Sequence, residues 1–142
     1  MLLGIAADAE TGREIESALA DPTIVLNLIG RTDVPTLAGV LATARALVSN
    51  DSGAMHLAAA LGRPVVAMFG PTDERATRPI GPHDVLSASV FCRPCMLRDC
   101  PIDHRCMKRI TPDMVFAAVS RHLAFARDDA RLRERQAALG TA

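Results

Sequence analysis

Residues 46–71 read ALVSNDSGAMHLAAALGRPVVAMFGP. The apolar run Ala46–Val48 stops at a polar elbow, residues 49–54, which carries the Asn, Asp and Ser side chains typical of a helix N-terminus. Small and aliphatic residues then continue until Gly62, and a second apolar run, Val65–Phe69, follows. The order strand, elbow, helix, strand predicts two parallel strands joined by a crossover helix.

The elbow is the first place to expect chemistry, because ligands of open parallel sheets bind at the carboxyl ends of the strands. Free backbone N–H groups around Ser52, Gly53 and Ala54, with the positive end of the helix dipole behind them, predict a seat for phosphate. Asp51 would accept hydrogen bonds from hydroxyls of the molecule that carries the phosphate. The same residues fit the alternative that Asp51 or Ser52 only caps the helix, and spacing alone leaves both open.

The chain before the elbow predicts two more buried strands, Met1–Ile5 and Thr23–Ile29, with a helix over Arg13–Ala20 between them. Thr32 or Asp33 is expected to cap the next helix. After the elbow region, the pattern predicts a Pro- and Gly-rich loop over 71–82, a short strand over 84–88 and a helix capped by Thr111.

This alternation predicts an α/β fold, an open and mostly parallel Rossmann-like sheet with helices on both faces. We expect one domain over 1–126, with a cysteine-rich loop at 91–109, and a charged C-terminal helix or tail over 127–142. The formal net charge is zero and charges of both signs are interspersed, so we expect no nucleic-acid partner. No apolar run has the length of a membrane span, and Met1–Gly4 lacks the pattern of a signal peptide, so a cytoplasmic location is expected.

The elbow, the following Pro64–Asp73, and the later runs Pro79–Gly81, Cys92–Met107 and Ile110–Val115 together resemble glycosyltransferase family 9, the lipopolysaccharide heptosyltransferases. The resemblance implies the C-terminal, donor-binding half of a GT-B enzyme, without the half's first strand and without the acceptor domain. It implies inverting transfer of a heptose-like sugar from a nucleotide sugar, ADP-heptose, to a lipopolysaccharide-type acceptor, with no cofactor required.

The resemblance also implies a donor site, but it matches no catalytic residue to this chain, because the family's general base is an aspartate of the acceptor domain. His56 would lie near the donor phosphates, although the residues alone favour a histidine packed against the neighbouring strand over a ligand role. Arg75 and Arg78 could meet phosphate or be solvated. The donor-site residues expected are Asp51, Ser52, Gly53, Ala54, His56, Gly70, Pro71 and Thr72.

Four cysteines fall in one short segment: Cys92, Cys95, Cys100 and Cys106. Such a cluster in a cytoplasmic protein favours a metal over disulfides, either a structural zinc or an iron–sulfur site. The irregular spacing lacks the paired short loops of a zinc ribbon. The spacing therefore favours reduced thiols that pack the loop over a metal site, and a catalytic thiol is the weakest alternative.

The partners expected are the nucleotide sugar and a membrane-associated lipopolysaccharide precursor, which would place the protein peripherally at the inner membrane. A partner chain or a homodimer would complete the cleft. Two alternatives from other classes remain: a non-catalytic nucleotide-binding module, and a truncated, inactive remnant that self-associates through an exposed sheet edge.

Overall fold

The computed structural model describes residues 1–124, so the predicted tail at 127–142 lies outside the described residues. The chain divides into two compact units, Met1–Val40 and a second unit that begins at Leu41. The helix α2 (Val34–Thr43) carries the chain from one unit into the other.

The first unit contains the helix α1 (Ala9–Ala18) and two single 3-10 turns, Ala6–Asp8 and Pro22–Ile24. A single parallel β-bridge pairs Leu2 with Asn27. The helix begins earlier than the sequence pattern predicts, at Ala9 rather than Arg13. Asp8 supports this earlier start, because its Oδ2 accepts the Ile5 N–H at 2.9 Å.

The predicted strands Met1–Ile5 and Thr23–Ile29 are wrong in extent, because only an isolated parallel bridge forms between them. Side chains compete with the strand pairing. Asp21 Oδ1 accepts the Thr23 N–H at 2.9 Å and folds Pro22–Ile24 into a turn. Asn27 Oδ1 accepts the Ile29 N–H at 3.0 Å in the same way. The predicted strand is therefore interrupted near both of its ends.

Asp33 caps α2, as one of the two predicted alternatives: its Oδ1 accepts the Thr36 N–H at 2.9 Å. Hydrogen bonds from the side chain and the backbone amide of Thr36 lower the pKa of the Asp33 carboxyl.

The second unit is built on a parallel sheet of three strands in the order β1–β2–β3. The strands are β1 (Leu47–Asn50), β2 (Val65–Phe69) and β3 (His83–Ser87). Leu47 pairs with Val65, which in turn pairs with His83. Because β2 is central, Val65, Val66, Ala67 and Phe69 are fully buried, and the apolar run that predicted this strand is explained.

The crossover helix α3 (Gly53–Ala60) packs against β1 and β2, and it ends where the sequence predicts. Gly62 has φ +71°, its N–H donates to Ala59 O at 2.9 Å, and the Arg63 N–H donates to Ala58 O at 2.9 Å. These two bonds form a Schellman motif, in which the left-handed residue favours glycine. Met55 and Ala58 bury the inner face of the helix.

Three shorter or later helices complete the described chain: α4 (Glu74–Thr77), α5 (Arg105–Lys108) and α6 over 112–124. Thr111 caps α6 as predicted, because its Oγ1 accepts the Met114 N–H at 3.3 Å. None of the helices within residues 1–124 combines the length and the hydropathy of a membrane span.

Candidate functional site

A cleft of about 240 Å³ opens at the carboxyl ends of β1 and β2, and we call it the elbow cleft. One wall is the turn after β1 with the start of α3, and the other is the loop after β2 with α4. The structure brings together five of the eight residues that the sequence analysis assigned to the donor site. The lining residues are Asp51, Ser52, Gly53, Met55, His56, Thr72, Asp73, Ala76, Thr77 and Met96.

The start of α3 presents backbone donors to this cleft. The Met55 N–H turns back to Ser52 O at 3.1 Å, whereas the amides of Gly53 and Ala54 have no acceptor within residues 1–124. A Cβ built on Gly53 would meet nothing within 4 Å, so the packing of the chain does not require glycine there. Two N–H groups and an open approach form the geometry that binds an anion at a helix N-terminus.

Neither Asp51 nor Ser52 caps α3 with its side chain in the structure. Ser52 is the N-cap residue, but its side chain accepts no capping hydrogen bond; its Oγ lies 2.9 Å from Ser49 Oγ. Asp51 has no hydrogen-bond or ion-pair partner in the described part of the chain. Its half-buried carboxylate lines the cleft as an acceptor without a donor.

His56, one turn into α3, is exposed and lines the cleft. The alternative of a histidine packed against the neighbouring strand is therefore wrong. Its role toward a ligand remains a prediction.

The three predicted residues after β2 have different surroundings. A Cβ on Gly70 would lie 2.6 Å from Met107 Sδ, so this glycine allows close packing of α5 against the sheet. Pro71 O accepts the Met96 N–H at 2.9 Å. Thr72 lines the cleft, and its Oγ1 is buried without a hydrogen-bond partner among residues 1–124. A buried unpaired hydroxyl costs free energy, so Thr72 is a candidate to hydrogen-bond a ligand.

Several residues of the cleft are not predicted by the sequence pattern. Asp73 caps α4, since its Oδ1 accepts the Arg75 N–H at 3.0 Å, and an Asp before a short helical run is a signal that could have predicted this. Met96 comes from the cysteine-rich segment, far along the chain, and no local pattern indicates its place in the cleft. Arg75 and Arg78 are exposed and are not among the residues that line the cleft, as expected for solvated arginines.

The four cysteines are free thiols, and Cys106, a residue of α5, is buried. In residues 1–124, no group of three or more His, Cys, Asp or Glu side chains is placed to hold a metal ion. A zinc or iron–sulfur site at the cysteines therefore stays a prediction. Hydrogen bonds from the Ile102 and His104 amides lower the pKa of the Cys100 thiol.

A second cleft, of about 410 Å³, lies within the first unit and contains none of the predicted site residues. Its polar lining includes Arg13, Glu16, Asn27 and Arg31. The elbow cleft is the better candidate, because the second cleft contains none of the residues singled out by sequence.

The fold and the cleft together define a class: a parallel α/β domain whose ligand site lies where the strand ends meet a helix N-terminus. Residues 1–105 match the profile of glycosyltransferase family 9 (heptosyltransferase), and the chain belongs to this family.

Named relatives agree with this assignment. The chain is 36% identical over 113 residues to lipooligosaccharide heptosyltransferase 2 of Campylobacter jejuni, and this match covers 77% of the chain and 35% of the relative. Lipopolysaccharide heptosyltransferase 2 of Escherichia coli is 43% identical over 82 residues, covering 56% of the chain and 24% of the relative. The chain thus spans about a third or less of the length of these two relatives.

Solved structures give the same result for the fold. The structure of the E. coli ADP-heptose lps heptosyltransferase II superposes with a TM-score of 0.77 at 32% identity, covering 89% of this chain and 36% of that one. A glycosyl transferase family 9 structure from Veillonella parvula, 21% identical, superposes with a TM-score of 0.71 and covers 86% of this chain and 35% of its own, which supports the fold alone.

Proposed function

We propose that this chain binds the donor nucleotide sugar for transfer of a heptose to a lipopolysaccharide-type acceptor, with ADP-heptose as the donor. The observation that carries the proposal is the pair of unpartnered amides at the start of α3, beside the open face of Gly53. The names of the relatives supply the sugar and the acceptor. The arrangement we propose is GT-B, with the donor held between this domain and an acceptor domain.

In this proposal the diphosphate is bound at the elbow. The amides of Gly53 and Ala54 donate to its oxygens, and their interaction strengthens as negative charge develops on the departing nucleoside diphosphate. Donors that are already oriented need no reorganisation when the bond to the anomeric carbon breaks. His56, exposed in the same cleft, is close enough along α3 to donate to a phosphate as well.

Asp51 is proposed to bind the sugar. Its carboxylate has no donor in the described chain and lies at the end of β1, beside the phosphate seat. A sugar presents hydroxyl donors, and a hydrogen bond to a charged acceptor contributes about 1.5–3 kcal/mol. Thr72, across the cleft, would pair its buried hydroxyl with the donor in the same way. We place the general base in the acceptor domain, where it takes the proton of the attacking acceptor hydroxyl. That oxygen bonds directly to the anomeric carbon as the bond to the nucleoside diphosphate breaks, and a single displacement of this kind inverts the anomeric configuration.

Calorimetric titration of the purified chain with ADP and with ADP-heptose tests this assignment. Asp51→Ala should weaken ADP-heptose binding about 10- to 150-fold and change ADP binding little, because the lost hydrogen bond is to the sugar. Asp113→Ala removes an exposed carboxylate outside the cleft and is the matched control. If Asp51→Ala binds ADP-heptose with the affinity of wild type, Asp51 does not bind the sugar. If wild type binds neither ADP nor ADP-heptose, the donor-binding proposal is contradicted.

A further inference from the structure

We propose that Arg93, in the cysteine-rich segment, is the positioning residue of the elbow cleft: its guanidinium fixes the loop after β2 in the place where that loop can meet a donor. The inference rests on the proposed function, since it concerns the wall of the same cleft. Arg93 does not itself line the cleft. It acts through residues 70–74, which we call the clamped loop.

The contacts of Arg93 converge on three residues of the clamped loop. Nε donates to Gly70 O at 2.6 Å, and Nη2 donates to Thr72 O at 3.2 Å and to Glu74 Oε2 at 2.7 Å. These partners lie 19 to 23 residues before Arg93 in the chain. One planar group therefore holds the beginning, the middle and the end of the loop.

Burial makes these contacts effective. The Arg93 side chain is 9% exposed and the Glu74 side chain is 31% exposed, so water competes weakly for the hydrogen bonds on the arginine side. Glu74 Oε1 also accepts from Ser87 Oγ at 3.4 Å, which ties the network to the end of β3. A lysine carries the same charge, but its single ammonium cannot reproduce the planar fork that reaches several acceptors at once.

A second link joins the same two segments. The Met96 N–H donates to Pro71 O at 2.9 Å, and Met96 has φ +58°, a left-handed conformation that is uncommon outside glycine. Met96 is 64% exposed and lines the cleft. The segment around Cys92–Cys95 thus acts on the cleft from outside through Arg93 and from inside through Met96.

The consequence falls on Thr72 and Asp73, the two members of the clamped loop that line the cleft. Arg93 binds the backbone oxygen of Thr72, while the Thr72 hydroxyl is the buried group left without a partner. Holding the carbonyl fixes the backbone that carries the hydroxyl before the ligand arrives, and a loop that is already in place binds with a smaller loss of conformational entropy.

The test compares ADP-heptose binding by calorimetry in wild type, Arg93→Lys and Arg93→Gln, with melting curves to verify the fold. We expect Arg93→Gln to weaken binding about tenfold or more, and Arg93→Lys to fall between it and wild type. Arg105→Gln is the matched control, because it removes another ion-paired arginine of the same segment that contacts no residue of the clamped loop. Its affinity should equal that of wild type.

A double variant separates positioning from a general loss of structure. If Arg93 acts through Thr72, the loss in Arg93→Gln with Thr72→Val should be smaller than the product of the two separate losses. Multiplicative losses, or wild-type affinity in both Arg93 variants, would overturn the inference and leave the donor site in place. If Arg93→Gln does not fold, Arg93→Lys decides by the same criterion. Absence of binding by wild type would contradict the proposed function first, and the positioning role with it.

Discussion

Replacement of Gly53 by alanine tests whether glycine at this position is required for ligand binding or for folding. Nothing lies within 4 Å of a Cβ at this position, and the residue is the first of α3, where alanine is a better helix former than glycine. The variant should therefore be as stable as wild type, or more stable by up to about 1 kcal/mol. Ligand binding should respond in the opposite direction.

The magnitude follows from the direction of the added methyl group. Cα–Cβ bonds of a helix tilt toward its N-terminus, so the new methyl group would project toward the phosphate seat at the Gly53 and Ala54 amides. Displacing the phosphate from one amide removes a hydrogen bond to a charged group, about 1.5–3 kcal/mol. Affinity for ADP should then fall roughly 10- to 150-fold in Gly53→Ala, and further in Gly53→Val.

Calorimetry and thermal melting of the same preparations measure both effects. Gly39→Ala is the matched control, since it makes the same chemical change in α2, also with open space around the new methyl group, outside the elbow cleft. It should keep the wild-type affinity. Wild-type affinity in Gly53→Val, with an unchanged melting temperature, would refute the assignment of the phosphate to the helix N-terminus.

Three further outcomes are expected. Gly70→Ala should destabilise the fold by about 0.5–1.5 kcal/mol in urea unfolding, because its Cβ would meet Met107 Sδ at 2.6 Å and this flexible side chain has to leave its rotamer; an unchanged midpoint would contradict the packing. Because folding lowers the pKa of the Asp33 carboxyl, its ionised form stabilises the fold above an unfolded pKa of about 3.9, and this stabilisation is lost as the pH falls through the folded pKa. Wild type should therefore lose more unfolding free energy on acidification than Asp33→Asn. Parallel curves of unfolding free energy against pH would contradict this. Because the pKa of the Cys100 thiol is lowered, iodoacetamide should modify Cys100 before the buried Cys106. Peptide mass mapping over a pH series measures this order, and earlier modification of Cys106 would contradict the prediction.

Local signals predicted the central part of the fold well. The apolar run of β2 is buried because the strand is central, and Gly62 ends α3 because the chain turns left-handed there. The strands expected at the N-terminus failed for an equally local reason. The side chains of Asp21 and Asn27 accept hydrogen bonds from backbone amides two residues further on, and these bonds compete with strand pairing. A pattern of hydrophobic residues does not register such bonds.

The candidate site divides along the same line. The elbow residues are adjacent in the sequence and are of types that are typical of a helix N-terminus that binds a ligand. Asp51, Ser52 and Gly53 could therefore be predicted from the sequence. The opposite wall depends on contacts between segments 19 to 23 residues apart, and periodicity carries no information about them. Cys92–Cys95 drew attention as metal ligands, whereas the residue between them with the most hydrogen bonds to the cleft wall is Arg93.

This division predicts where substitutions should act. A change in the elbow alters the groups that would touch the donor, so it should change affinity while the fold stays intact, as argued for Gly53. A change in the clamp, at Arg93 or Glu74, alters groups that hold one another, so its effects on affinity and on stability should appear together and should not be additive within the network. The residues that would contact the donor are therefore distinct from the residues that hold the wall of the cleft in place, and substitutions in the two groups should have different effects.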